Sequence, residues 1–216
     1  MPVASVAVGL DNLYLRVLTE TVFFLALVNP ISKVFILTVM SRDFEKQGLL
    51  ETALRSTLVA LVILAVLALG GSFILTAFFH VQVHSLRIAG GAVLFVIGFA
   101  ALTKGKFFEA PQARRLTDIS IVPLASPMIA GPATITAAIS ETAHLGFAVT
   151  GPALFLALAV NFAIMLLSLQ IGGFLSKFNL MGALIRITGL LVAAIAVEMV
   201  LGGIQSWLEV LRSAGV

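Results

Sequence analysis

Three kinds of residue that usually point to chemistry are scarce or missing here. The 216-residue chain contains no cysteine, so there is no disulfide framework, no thiolate and no cysteine metal site to read. Charged residues make up 11% of it, against about 25% in a typical soluble domain. No phosphate-binding loop, nucleophile elbow or carboxylate dyad occurs along it, which disfavours an enzyme and calls for no cofactor. His80 and His84 are four apart and His144 stands in a later loop. That trio alone could ligate a metal, but no carboxylate spacing supports it. The N-terminus lacks a basic region and a small-residue cleavage site ahead of its apolar run, so that run is read as a first span rather than a signal peptide.

What the chain does have is hydrophobicity, 60% of residues with a mean hydropathy of +1.15. That is the composition of an integral membrane protein embedded in a lipid bilayer, in one transmembrane domain over residues 1–216. The net charge of +3 does not suggest nucleic acid, because the basic residues are scattered among short connections. Counting apolar runs of about 20 residues predicts six transmembrane helices, near 17–40, 56–79, 86–103, 119–140, 149–171 and 183–204. Residues 41–47, 80–85, 103–118, 141–150 and 172–182 read as connections, and 205–216 as a short amphipathic tail.

The basic residues orient these spans. Connections after the first, third and fifth spans hold Arg42, Lys46, Arg55, Lys104, Lys106, Arg114, Arg115, Lys177 and Arg186, nine in all. The other side holds Arg16, Arg87 and Arg212. The positive-inside rule then puts the nine in the cytoplasm and both termini outside.

Two spans are interrupted. Pro123-Leu124-Ala125-Ser126-Pro127-Met128-Ile129-Ala130-Gly131-Pro132-Ala133-Thr134-Ile135 carries three prolines and a glycine inside the fourth span, and Asn29-Pro30-Ile31-Ser32 interrupts the first. Proline inside a helix removes a donor, clashes with the preceding turn and costs about 3 kcal/mol. In hydrocarbon no water satisfies the freed groups, so such backbone persists only against protein or a wet cavity. The expectation is discontinuous helices 1 and 4, although ordinary proline kinks would leave the same trace.

The breaks belong to an internal repeat. Pro30 and Pro132 are 102 positions apart, as are Gly70-Gly71 and Gly172-Gly173. Leu86-Arg87-Ile88-Ala89-Gly90 matches Ile185-Arg186-Ile187-Thr188-Gly189 at an offset of 99. Each repeat, about 13–103 and 119–204, holds three spans. An odd number forces opposite insertion, giving an all-α inverted 3+3 repeat, the plan of many secondary transporters.

Asn29 and Gly131 are placed to cap half-helices whose first residues are Pro30 and Pro132. In an inverted pair, the two N-termini approach the midplane from opposite faces, and their free amides and dipoles offer donors to an anion. Carbonyls ending the preceding halves, around Leu27–Val28 and Ile129–Ala130, could accept from an ammonium. Donors on one side and acceptors on the other suit a zwitterion, a small amino acid. The candidate substrate-binding residues are therefore Asn29, Pro30, Ile31, Ser32, Ala130, Gly131, Pro132, Ala133 and Thr134. Ser32 and Thr134 occupy equivalent positions, and their hydroxyls either reach substrate or bond back to the preceding turn.

Ionisable residues within spans are functional candidates. Glu198 in span 6 is the first choice for a proton or cation site, and Asn161 in span 5 could line the cavity or bond a neighbouring helix. Lys33 lies about seven residues from the cytoplasmic end of its span, where snorkelling explains it as well as function does. Arg87 and Arg186 near span starts are accounted for by lipid phosphate or a neighbouring helix end.

The stretch Pro123 to Pro132 resembles the signature of the MarC family of bacterial inner-membrane proteins. Asn29-Pro30 is similar to the start of that family's first motif, and Leu86-Arg87-Ile88-Ala89-Gly90-Gly91 to its third-span motif. The family sits in the LysE-type transporter superfamily. The resemblance implies six spans, a multi-pass inner-membrane location and transport of small neutral amino acids such as alanine or glycine. The family's name, from a multiple-antibiotic-resistance locus, suggests drug efflux as an alternative, and a non-transporting scaffold is a further one. The chain departs from the family pattern at Ser32 and Phe35, where glycine and a second proline are usual. It also has Lys33 where asparagine is frequent, and Ala133 where glycine is usual.

Overall fold

A computed structural model of the protein describes residues 13–41, 44–107, 128–177 and 180–213. Among these there is no strand. The helices, in order, are α1 (Leu13–Val28), α2 (Pro30–Met40), α3 (Lys46–Phe73, continued by a wider turn over Ile74–Phe78) and α4 (Val83–Lys104). They are followed by α5 (Pro132–Leu145), α6 (Phe147–Leu166), α7 (Ser168–Lys177) and α8 (Met181–Ser213). Among the described residues five stretches are long and apolar enough to cross a membrane: Leu13–Met40, Lys46–Phe78, Val83–Lys104, Phe147–Leu166 and Met181–Ser213. Of the expected fourth span, only residues 128 onward fall within the described part; Pro123 to Pro127 of its motif lie outside it.

The surface is apolar, unlike that of a water-soluble bundle. Leu58, Val62, Val66, Leu69 and Phe73 along α3, and Val96 and Phe99 on α4, are exposed, while Thr21, Ser56, Thr57, Thr136, Ser140 and Asn161 are buried. A lipid-facing surface needs apolar side chains and a bundle interior tolerates small hydroxyls, of which those of Thr21, Ser56 and Thr57 bond back to their own helix. Thr21 Oγ1 donates to the Val17 carbonyl at 2.7 Å and Thr57 Oγ1 to that of Ala53 at 2.8 Å.

The broadest packing joins α4 to α8. A Cβ added at Gly98 would meet Ala193 N at 2.7 Å and Gly189 O at 2.8 Å, and one at Gly189 would meet Leu102 N at 2.8 Å. At the other end, a Cβ on Gly203 would meet Ile88 Cγ1 at 2.7 Å and His84 O at 3.0 Å. Early α4 thus meets late α8, so the two run antiparallel with backbones in contact through small residues, as membrane helices pack when no side chain intervenes. Glycines also seat α5, since Gly71 of α3 abuts Ile139 and Gly90 of α4 abuts Thr136. α1 packs on α6, and α2 on α7 where Gly172 receives Thr38.

Several boundaries differ from the sequence expectation. The 141–150 connection contracts to Gly146, whose φ of 79° lets α5 and α6 follow each other directly. The predicted span 149–171 instead ends at Leu166, and α7 occupies part of the expected 172–182 loop. The tail from Gln205 is continuous with α8 as far as Ser213.

The glycine contacts predict a clear contrast. Gly189→Val is expected to destabilise by about 2–3 kcal/mol, because the new side chain meets backbone on α4. Gly70→Ala, with nothing within 4 Å of its added Cβ, is expected to stabilise by about 0.5–1 kcal/mol through helix propensity. Thermal unfolding in detergent reads both.

Candidate functional site

The first break is built on Asn29. Its N–H donates to the Leu25 carbonyl at 2.9 Å, ending α1, while φ of 53° and ψ of 78° turn the chain into the left-handed region. Among residues with a Cβ, asparagine is one of the few that adopts this conformation readily. The same residue opens α2: its carbonyl accepts from Ser32 N at 3.2 Å and its Oδ1 from the same N–H at a long 3.4 Å. Pro30, at the first helical position, lacks an N–H that would have no partner there anyway. The second break uses a different solution. Gly131, in extended conformation, caps α5, Pro132 is its first residue, and Ile135 N closes the first intrahelical bond to Gly131 O at 2.9 Å.

The two breaks meet. One cavity of about 30 Å³ is lined by Asn29, Ser32 and Lys33 from one side and by Met128, Gly131, Pro132, Ala133 and Thr134 from the other; Leu94, Ile97, Phe107 and Val192 help close it. That volume holds about two water molecules, so the space admits a small group.

Lys33 is the principal surprise. It is only 1% exposed and does not snorkel. Its Nζ donates at short range to the carbonyl of Val28, the last residue of α1, and at 2.6 Å to the carbonyl of Met128. Lys33 lies in the first turn of α2, beside the α1 terminus, so its stem reaches back into the bundle more easily than out to the surface. A cation at a helix C-terminus is also electrostatically favoured. Of the carbonyls expected to receive a ligand's ammonium, that of Val28 receives one from the chain itself; the second acceptor, Met128 O, lies one residue before the expected Ile129–Ala130 pair.

The other candidates divide. Ser32 Oγ donates to Asn29 O at 2.7 Å, so this hydroxyl bonds back. Thr134 is buried and lines the cavity. Pro30 and Ile31 face two neighbouring apolar spaces of about 90 and 370 Å³, and Ala130 is buried beside the cavity without lining it. Asn161 is fully buried on α6, away from the cavity lining; its Nδ2 contacts Met165 Sδ at 3.3 Å and its Oδ1 has no partner among the described residues. Glu198 is exposed on the outer face of α8.

A charged cluster joins three helices nearer the other membrane face. Arg87 of α4 pairs with Glu141 of α5 at 3.4 Å, and Glu20 of α1 lies within electrostatic reach of both. The guanidinium rests against Gly202 of α8. Arg186 behaves as expected of a helix-end partner, donating to the Leu102 carbonyl of α4 at 3.3 Å. Glu20 was open to sequence inspection as an acid inside the first apolar span, but its partners lie 67 and 121 positions away, beyond what local pattern can supply.

A family model described as MarC family integral membrane protein matches residues 15–208. Similar curated proteins include a UPF0056 membrane protein of Pyrococcus horikoshii, 34% identical over 188 residues, covering 87% of this chain and 93% of that one. The UPF0056 inner membrane protein YhgN of Escherichia coli is 28% identical over 199 residues, covering 90% and 98%. A Bacillus subtilis UPF0056 membrane protein, YvbG, is 29% identical over 199 residues, covering 87% and 93%. No solved structure matches the chain.

Two outcomes are expected at these residues. Asn29→Gly keeps the left-handed turn and changes stability by about 0.5 kcal/mol or less, whereas Asn29→Ala costs about 1–2 kcal/mol from the strained backbone. Arg87→Gln leaves two carboxylates facing each other and costs about 2 kcal/mol, discounted for partial exposure. Glu141→Gln leaves Arg87 balanced by Glu20 and costs less than half as much. Detergent melting curves that reverse the second order would show that the three groups do not act as one cluster.

Proposed function

Because the chain belongs to the MarC family of integral membrane proteins, we propose that it is a secondary transporter of small carboxylate-bearing solutes, with small neutral amino acids such as alanine and glycine as the first candidates. It works as an exporter or exchanger. The observation that carries this reading is the meeting of two interrupted spans at one small cavity, lined from both sides by Asn29, Ser32, Gly131, Ala133 and Thr134. Broken helices facing each other across a bundle are the commonest construction for a transporter's substrate site. A carboxylate seats on the amides that open α2 and α5, which have no partner inside their own helices.

The inverted 3+3 plan belongs to the same proposal. It is supported by the repeat offset and by α4 and α8, the third spans of the two halves, which run antiparallel. Alternating access then amounts to movement at the two breaks against the joined α4–α8 pair, opening the cavity to each face in turn. A cavity this small corresponds to the closed stage of such a cycle, and a whole amino acid enters only once the breaks separate. The distribution of basic residues supports a cytoplasmic inner face with both termini on the opposite side.

Counterflow in proteoliposomes tests this, with labelled alanine, glycine and serine run beside Thr134→Val. Saturable exchange by the native protein, with exchange at least about tenfold slower in the folded variant, is the expected result. If folded native protein exchanges none of the three, the amino-acid class is wrong. Uptake of bulky apolar compounds would then move the site to the 370 Å³ groove between α1–α2 and α6–α7.

A further inference from the structure

We propose that the cavity between the two breaks is a built site for one small monovalent anionic group, of halide or carboxylate size, and that Lys33 supplies from within the chain the positive charge that a free amino acid would bring as its own ammonium. The carboxylate identity rests on the transport reading above; anion binding itself does not.

The donors and acceptors around the cavity are unequal. A lysine ammonium has three N–H donors, and Lys33 uses two, on Val28 O and Met128 O. No carboxylate among the described residues pairs with it. Those two carbonyls are the acceptors that the chain ends nearest the cavity would have offered to a ligand's ammonium, and they are already engaged. Donors remain among the groups at the cavity wall. Asn29 is 7% exposed, lines the cavity, and its Nδ2 has no partner among the described residues. The amides of Ala133 and Thr134 precede the first intrahelical bond of α5, and the starts of α2 and α5 both bring positive dipole ends.

Left as it is, this arrangement buries an ionisable amine with no carboxylate beside it and an orphan amide, each a cost in a medium that cannot hydrate them, and the charged form of the amine gains a countercharge when an anion enters. An anionic group in the cavity relieves both at once, and a volume near 30 Å³ admits a halide or a carboxylate head. Ligands with no ammonium are therefore held at least as well as glycine, so the transported class extends to short monocarboxylates.

Two variants separate this from a purely structural lysine. Lys33→Met removes the charge. Asn29→Asp places a tethered carboxylate at the cavity wall while keeping a residue that tolerates the left-handed turn and caps a helix, so it neutralises Lys33 internally. The probe is radiolabelled chloride at equilibrium with the purified full-length protein in detergent, with acetate and glycine as competitors and a bulky organic anion holding ionic strength constant.

The native chain is expected to bind one chloride, displaced by acetate at least as well as by glycine. Both variants are expected to bind at least about thirtyfold more weakly. Asn29→Asp is further expected to melt at the temperature of the chloride-loaded native protein, with no added response to chloride. If Lys33→Met does not fold, Asn29→Asp alone decides. Absence of saturable chloride or acetate binding, binding unchanged by Asn29→Asp, or displacement by glycine but not by acetate would each overturn the proposal. Chloride binding without any counterflow would leave it standing while removing the transport reading. Glycine counterflow without anion binding would do the reverse.

Discussion

Hydrocarbon offers nothing to a backbone amide or carbonyl, and that constraint orders this molecule. A helix may stop at mid-membrane only if the groups it frees find partners inside the protein. Here the chain supplies them at one place. Asn29 ends α1 and begins α2, Gly131 and Pro132 restart the chain into α5, and the Lys33 ammonium ties the carbonyl end of α1 to Met128 across the break. Satisfying the freed backbone and shaping a polar cavity are one act of construction. The rest of the bundle holds these two short stretches against each other.

How much of this could be read in advance depends on how local its cause is. Proline geometry and the left-handed tolerance of asparagine are properties of one or two residues. The helix starts at Pro30 and Pro132 and the caps at Asn29 and Gly131 were therefore legible in the string of letters, as was the membrane character of the whole chain. The turn at Gly146 was less so, since a glycine in a polar stretch signals a bend without saying how short it will be. The run past Leu166 misled for a related reason. Hydropathy is continuous there, and only the packing of α7 beside α2 makes the helix restart.

Side-chain destinations were the illegible part. Lysine has a long stem, and whether Lys33 snorkels or turns inward depends on Met128, 95 residues away. The cluster of Glu20, Arg87 and Glu141 gathers three helices, and only the assembled bundle reveals it. Glu198 shows the converse, an acid in a span that hydropathy marks as functional but that the structure leaves on the outer face of α8. A charged letter inside an apolar run signals that something must compensate it. The compensating partner is a property of the fold.

The contact between α4 and α8 has a mechanical consequence. Their backbones touch directly at Gly98 and Gly189, with no long side chain there whose rotamer could change to let one helix slide along the other. Such a pair resists shear, so conformational motion in the bundle has to be taken up around it, at the joints beside Asn29 and Gly131. The two helices then serve as the molecule's fixed reference frame, the stationary axis from which displacement of every other element can be gauged.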